Sequence, residues 1–184
     1  MLLRGANSPM MVACWYGVLK AGGVVVCTMP LLRVRELTFV ADKAEIALAL
    51  CDARIAAECE EAMARRADGT PRAGGRVVTF SADGTVGALE GMMAGKPAEF
   101  AAADTAADDV ALVAFTSGTT GEGKGTMHFH RDVLAVCDCF PRHVLRPRAD
   151  DVLVGTPPLA FTFGLGGLVL FPARVGASTA LVEQ

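Results

Sequence analysis

One stretch of the sequence combines glycines, hydroxyl groups and a lysine in a pattern that could hold phosphate. It runs from Phe115 to Gly125 and contains four glycines, four hydroxyl side chains and Lys124. Glycines let successive backbone N–H groups point into one concavity, which forms a nest for an anion. Hydroxyls add donors that can rotate or contact a metal, and the lysine adds a mobile positive charge. Residues 115–125 therefore predict an oxyanion-binding loop.

The elements on either side of this loop indicate whether it is the phosphate loop of a P-loop NTPase or of another class of protein. The apolar run Val110–Phe115 predicts a buried strand that leads into the loop. Residues 118–124 fit the Gly-x-x-x-x-Gly-Lys spacing of P-loop NTPases, which requires Ser or Thr next and a helix that starts there. Here Gly125 comes next, residues 126–130 predict a strand, and the helix is predicted only from Arg131. The flanking residues therefore argue against a P-loop NTPase.

The whole run instead resembles the phosphate-loop signature of the adenylate-forming superfamily, which includes acyl- and aryl-CoA synthetases, peptide-synthetase adenylation domains and luciferases. The family pattern is Thr-Ser-Gly-Thr-Thr-Gly-x-Pro-Lys-Gly, and this chain departs from it once, with Gly123 where proline is usual. The departure costs some loop rigidity and removes no phosphate-binding group. The segments 7–9, 17–22 and 31–37 also resemble the region upstream of that signature. The resemblance implies that the phosphates of ATP are bound by Thr116, Ser117, Gly118, Thr119, Thr120, Gly121 and Lys124.

Two further segments resemble the aryl-CoA ligases of the 2-aminobenzoate and benzoate type. Residues 128–132 match the segment after the loop in those ligases, and residues 157–164 are similar to a proline-led loop that presents an aromatic or histidine to the acyl pocket. Phe161 falls at that position, and Phe163 and Gly164 would lie beside it in a flat apolar slot. The alternative is that both phenylalanines are ordinary core residues.

The resemblance implies an AMP-forming acid–CoA ligase that uses ATP, Mg²⁺ and coenzyme A to activate a carboxylic acid, expected to be aromatic. The family's adenine and ribose motifs and its adenylation lysine would lie downstream of residue 184. The chain is therefore expected to be part of the N-terminal domain, without the C-terminal domain, and inactive by itself. Two alternatives remain open: a non-catalytic remnant or polyphosphate-binding module, and a peptide-synthetase type of adenylation domain.

Other candidate sites have weaker patterns. His128, His130, Cys137 and Cys139 invite a zinc interpretation, and the two histidines would share a face if both lay in a strand. The two cysteines would point to nearly opposite sides of a helix, because residues i and i+2 do not share a face. Packing roles are favoured, and no metal ligand is assigned. A Ser-His-Asp hydrolase has no nucleophile-elbow pattern to support it.

Composition limits the partners and the location of the protein. The net charge is −3 with no basic cluster, which gives no electrostatic case for nucleic acid. The six cysteines lack the spacing of a disulfide framework and predict reduced thiols in a cytoplasmic protein. Residues 152–173 carry no charge, yet their prolines and glycines argue against a membrane span. A homo-oligomer is left open.

Strands and helices alternate along the chain, and the strands are apolar. This pattern predicts an α/β fold whose layered, largely parallel sheet is flanked by helices. Residues 81–105 are poorly patterned and predict a helix or two between loops. The predicted helices are 8–21, 33–43, 53–66 and 131–143, and the predicted strands are 23–27, 46–51, 76–80, 110–115, 126–130, 151–155 and 177–182.

Overall fold

The computed structural model describes residues 1–82, 87–116 and 123–183. Its strands are β1 (Leu2–Arg4), β2 (Val26–Thr28), β3 (Leu48–Asp52), β4 (Arg76–Phe80), β5 (Val110–Phe115), β6 (Gly125–Phe129), β7 (Val152–Gly155) and β8 (Ser178–Leu181). Its α-helices are α1 (Pro9–Lys20), α2 (Val34–Lys43), α3 (Ala56–Ala64), α4 (Ala88–Met93), α5 (His130–Asp138), α6 (Thr162–Leu165) and α7 (Phe171–Val175). A 3-10 turn at Ala53–Ile55 precedes α3, and π-helical turns lie at Pro141–Leu145 and Gly166–Leu170.

A four-stranded parallel sheet is the centre of the fold. Its strand order is β2-β1-β3-β4, and each neighbouring pair is parallel. Val25 extends this sheet towards β5, because its N–H donates to the carbonyl of Ala111 at 2.9 Å and its carbonyl accepts from the N–H of Val113 at 2.9 Å. The strand that leads into the candidate phosphate loop is therefore held beside β2. The predicted α/β class with a largely parallel sheet is confirmed.

Helices cover both faces of this sheet, and neighbouring residues of one strand serve different cores. In β1, Leu3 packs into a core with Trp15 of α1, whereas Leu2 packs into a second core with Val40 of α2. Side chains alternate across a strand, so a strand covered on both faces must be apolar at every position. The apolar runs of the sequence have this cause.

The last third of the chain adds a second region to the core that contains Trp15. β5 and β6 form an antiparallel pair, and β7 and β8 form a parallel pair. The helical segment from Thr162 to Val175 joins β7 to β8 and buries Leu165, Leu168 and Leu170 in the same core as Trp15. The uncharged residues 152–173 thus divide into a strand, a loop and helical turns. Among the residues described, no helix is both long and apolar enough to cross a membrane.

Local sequence sets the bounds of α1 as predicted. The Ser8 side chain accepts a hydrogen bond from the N–H of Met11 at 3.1 Å, and Pro9 occupies the first turn. These are an N-cap and a residue whose fixed φ suits a helix start. The helix ends at Lys20, and Gly22 lies just beyond with a φ of +75°, a conformation that glycine adopts without strain.

Several predicted bounds differ from the structure. The helix predicted over 131–143 ends at Asp138, because Pro141 cannot continue the ladder of helical hydrogen bonds and a π-helical turn forms instead. β2 begins at Val26, three residues after the predicted start at Gly23, and β1 was not predicted because three residues give too short a pattern. Residues 87–105 contain one helix, α4. The strand predicted over 126–130 ends at Phe129 and His130 begins α5, so the condition under which His128 and His130 would share a strand face is not met.

Candidate functional site

The described ends of the candidate phosphate loop are held together at its base. Phe115 of β5 is paired with Gly125 of β6, and the N–H of Thr116 donates to the carbonyl of Lys124 at 2.9 Å. Phe115 also meets Phe39 of α2 edge to face, with ring centroids 6.2 Å apart. The loop therefore leaves and re-enters the fold at two adjacent strands whose positions are fixed by the sheet.

Gly123 has a steric reason to replace the proline of the superfamily pattern. A Cβ atom at this position would lie 2.8 Å from the backbone carbonyl oxygen of Thr116, which is closer than real Cβ contacts. A Cβ atom at Gly125 would lie 3.0 Å from a methyl group of Val113. The returning strand therefore approaches β5 too closely for a larger residue at position 123 without a shift of the backbone.

Lys124 is exposed beside this base, and Thr116 is exposed at the end of β5. No ion pair to Lys124 occurs among the described residues. Its ammonium group is therefore accessible to an anion from solution. The remaining predicted phosphate-binding residues, Ser117, Gly118, Thr119, Thr120 and Gly121, lie outside the described residues.

The proline-led loop after β7 is fixed by contacts from distant parts of the chain. The Asn7 amide bonds to the backbone of Pro157 and Leu159, and the N–H of Phe161 donates to the carbonyl of Pro158 at 3.0 Å. Gly164 lies directly against the loop, since a Cβ atom there would be 2.2 Å from the carbonyl oxygen of Pro158. This close approach, rather than space for a ligand, explains why position 164 is glycine.

A shallow cavity lies between β5 and the proline-led loop. It encloses about 10 Å³, roughly the space of one water molecule. Its walls come from α1 and β2 (Trp15, Cys27), from β5 (Val113, Ala114) and from the loop (Leu159, Ala160, Thr162). The strand that leads to the phosphate loop and the loop predicted to face the acid thus meet at one cavity. This space is far smaller than the pockets of about 300–1,000 Å³ that enclose small molecules, so these walls form only the base of a pocket.

The two predicted pocket phenylalanines do not line this cavity. Phe161 is 45% exposed and Phe163 is 78% exposed, so neither is a buried core residue. Thr162, which lies between them, does line the cavity, and sequence reasoning did not select it. Trp15 and Cys27 were also missed as cavity residues, because nothing in their local sequence indicates that α1 and β2 reach this loop.

The cavity wall carries no charge at neutral pH. Burial raises the pKa of the Cys27 thiol to about 12, and burial also raises the pKa of Cys14 in α1 to about 12. Both thiols therefore stay protonated near pH 7 and behave as small apolar side chains. The lining is suited to an apolar group of a ligand and not to its carboxylate.

The histidines and cysteines considered for zinc do not converge. Cys137 is buried in α5 and its Sγ donates to the carbonyl of Val133 at 3.1 Å, whereas Cys139 is exposed. Within the described ranges, no group of three or more His, Cys, Asp or Glu residues could hold a metal ion. The described cysteines are free thiols.

Comparison with known proteins gives the family of the chain. A family model described as "AMP-binding enzyme" matches residues 2–184. The 3-hydroxybenzoate–CoA ligase of Aromatoleum sp. (strain CIB) is 31% identical over 173 residues, which are 94% of this chain and 32% of that protein. The benzoate–CoA ligase of Thauera aromatica is 35% identical over 96 residues, which are 52% of this chain and 18% of that protein.

A solved structure supports the fold independently. The benzoate CoA ligase from Burkholderia xenovorans LB400 matches with a TM-score of 0.85 at 20% identity, over 100% of this chain and 35% of that chain. At this identity the likeness speaks for the fold alone. The chain spans about a third of the length of the curated ligase that it matches over 94% of its residues.

Proposed function

This chain belongs to the family of AMP-binding enzymes, and on that premise we propose that it forms part of an AMP-forming ligase that joins an aromatic carboxylic acid to coenzyme A. In the first half-reaction, the carboxylate attacks the α-phosphorus of ATP, which yields an acyl-adenylate and releases pyrophosphate. In the second, the thiolate of coenzyme A attacks the acyl carbon, which yields the thioester and releases AMP. The relatives named as 3-hydroxybenzoate– and benzoate–CoA ligases support this proposal.

The observation that carries the proposal is the shared position of the two loops. The strand that enters the candidate phosphate loop and the proline-led loop both line one uncharged cavity. An acid whose apolar group rests against these walls would lie beside the end of β5. A reaction between a carboxylate and a phosphate ester requires these two binding functions next to each other, because correct positioning removes much of the barrier.

On the phosphate side, the exposed Lys124 would offset the negative charge of the departing pyrophosphate. The hydroxyl of Thr116 would add a hydrogen-bond donor at the end of β5, and Ser117, Thr119 and Thr120 would add more, with Gly118 and Gly121 supplying backbone N–H groups. Charges and donors that are already in position when the pyrophosphate leaves stabilise the transition state at little reorganisation cost.

On the acid side, the ring would lie against the outer side of these walls, beside the exposed Phe161 and Phe163, while Gly164 would let the loop pack closely beneath them. Phe161 and Phe163 expose apolar surface next to Thr162, which lines the cavity. An aromatic ring gains about 0.5–1.5 kcal/mol from a favourable contact with another ring beyond the burial of area. A benzoate-type acid would use both the uncharged cavity and these exposed rings.

Mg²⁺ would serve this site by neutralising phosphate charge. It usually binds through one or two carboxylates together with substrate phosphates. The described residues contain no group of three or more His, Cys, Asp or Glu side chains that could hold it. The hydroxyl groups of the loop would therefore be its protein ligands, and the phosphates of ATP would supply the others.

The test is the specificity of a full-length enzyme that carries these residues. We expect AMP and a thioester to form, with a higher kcat/KM for benzoate or 2-aminobenzoate than for acetate or palmitate. A preference for acetate or palmitate would contradict the aromatic substrate. Binding of pyrophosphate without any acid-dependent exchange between ATP and pyrophosphate would indicate a polyphosphate-binding module instead.

A further inference from the structure

Asn7 makes two hydrogen bonds to a loop that lies about 150 residues away in the sequence. Its Nδ2 donates to the carbonyl of Pro157 at 3.0 Å, and its Oδ1 accepts from the N–H of Leu159 at 2.8 Å. The side chain is buried, with a relative exposure of 7%. A side-chain amide has both an N–H donor and an acceptor oxygen, so it can pair with the carbonyl and the N–H of one backbone segment in the way that a neighbouring β-strand does. Asn7 therefore binds the backbone of this loop at two points.

These bonds do not serve the helix that begins after Asn7. The N-cap of α1 is Ser8, whose hydroxyl accepts from the N–H of Met11. Asn7 lies in the connection between β1 and α1, and both polar ends of its amide are used by the proline-led loop. Its residue type is therefore explained by the loop and not by local secondary structure.

The loop has few other ways to fix its backbone at this point. Pro157 and Pro158 lack an N–H group, so the first donor of the loop is Leu159, and Asn7 takes it. Leu159 is 3% exposed and lines the cavity together with Ala160 and Thr162. Asn7 therefore holds the backbone of a residue that itself lines the cavity.

We propose that Asn7 is a positioning residue that sets the shape of the acid-binding wall by holding the Pro157–Leu159 backbone. This inference rests on the proposed function for its statement about the acid, and on the hydrogen bonds alone for its statement about the loop. Asn7 touches no reacting atom in this arrangement. It acts through Leu159, Ala160 and Thr162, and its removal is expected to change the binding of the acid and not that of ATP.

The experiment compares Asn7→Ala, Asn7→Asp and the control Ser8→Ala in a full-length enzyme that carries these residues. In Asn7→Ala we expect amide hydrogen exchange at Leu159 to accelerate about tenfold or more, because a buried N–H loses its acceptor. We expect the KM for the aromatic acid to rise about tenfold, with the KM for ATP within about twofold of the unmodified enzyme. Ser8→Ala removes a helix cap one residue away and should leave exchange at Leu159 and both KM values unchanged.

Asn7→Asp separates the two bonds, since it keeps the volume and the acceptor for Leu159 but loses the donor to Pro157. Its exchange at Leu159 should lie between those of the unmodified enzyme and Asn7→Ala, while the KM for the acid still rises. If Asn7→Ala does not fold, this variant decides the question by the same measurements. Unchanged exchange and unchanged acid KM, or equal increases in both KM values, would overturn the proposal. If exchange at Leu159 is faster in Asn7→Ala but the enzyme does not use aromatic acids, the contact between Asn7 and the loop is supported and the proposed substrate is rejected.

Discussion

The two loops at this site are fixed in different ways. The described ends of the loop after β5 are held by contacts between residues close in sequence. Phe115 pairs with Gly125, and the N–H of Thr116 donates to the carbonyl of Lys124. The loop after β7 is held by Asn7, which is far away in sequence, and by its contact with Gly164. The residues predicted to bind phosphate therefore lie in one short stretch of sequence, whereas the shape of the proposed acid-binding wall depends on residues far away in sequence.

This difference has a consequence for substitutions. Side chains at the exposed end of the first loop, such as Lys124, contribute little to packing, so their replacement should affect chemistry more than stability. Residues under the second loop are packed, so their replacement should affect stability first.

The largest effect on stability is expected from Gly164→Ala. The new methyl group would lie 2.2 Å from the carbonyl oxygen of Pro158 and 2.7 Å from that of Pro157, so the backbone of the loop must move. Overpacking of this kind costs about 3 kcal/mol, which lowers Tm by roughly 10 °C in a domain of this size. Thermal unfolding followed by circular dichroism measures the change.

Gly167→Ala is the matched control, because no atom beyond its chain neighbours and its own helical backbone lies within 4 Å of the new methyl group, and the position lies in a π-helical turn. Alanine is preferred over glycine in a helix by about 1 kcal/mol, so Tm should stay equal or rise. Equal Tm values for Gly164→Ala and the unmodified protein would show that the loop is not packed as described.

Replacing an exposed phenylalanine of the proline-led loop should affect activity more than stability. Phe161→Ala is expected to lower kcat/KM for benzoate about tenfold while kcat/KM for acetate stays the same, because only the aromatic acid loses a ring contact and buried area. Tm should change little, since Phe161 is 45% exposed. Phe100→Ala, which removes another exposed phenylalanine, serves as the control and should alter neither quantity. An unchanged preference for aromatic acids in Phe161→Ala would remove this residue from the acid site.

A smaller effect is expected from pH through the cavity thiol of Cys27. Its pKa is raised by burial from about 9 to about 12, so between these values the unfolded chain loses a proton that the folded chain keeps. The stabilisation is complete below pH 9 and decreases as pH rises, by about 1 kcal/mol at pH 10. Cys27→Ala should lose less free energy of unfolding between pH 7 and pH 10 than the unmodified protein, as measured by urea denaturation at both values.

Removal of the exposed Cys139 as Cys139→Ala controls for the loss of a thiol. A decrease in stability of the same size in Cys27→Ala and in the unmodified protein would show that water reaches the cavity wall.

The fold was predictable wherever the pattern is local. β4 and β5 have the predicted bounds, and α1 is confirmed by the cap at Ser8 and the glycine after its end. Three residues of β1 were too few to give a period, and the helix predicted through Pro141 ignored the missing donor of that proline. Both errors have a local cause: β1 is too short to show a periodic pattern, and Pro141 ends a helix within an otherwise helical pattern.

The site was predictable in residue type but not in arrangement. The hydroxyls and Lys124 were selected because their chemistry is contiguous in the sequence, and their role remains a prediction. Asn7 could not be selected as a contact of Pro157 and Leu159, because a single asparagine gives no signal that it will meet backbone about 150 residues later. Thr162 and Trp15 line the cavity only because two distant segments pack on one core.

In the proposed reaction, the loop ending at Lys124 binds the phosphates of ATP while the acid is activated. The most direct test is the acid-dependent exchange of pyrophosphate into ATP by Lys124→Ala in a full-length enzyme, with the exposed Lys96→Ala as the control. We expect a decrease of about 10²–10³-fold in Lys124→Ala, as for the loss of a positioned charge in the transition state, with Tm unchanged. Lys96→Ala should exchange at the rate of the unmodified enzyme. Exchange at nearly that rate in Lys124→Ala would contradict the phosphate-binding role of this loop.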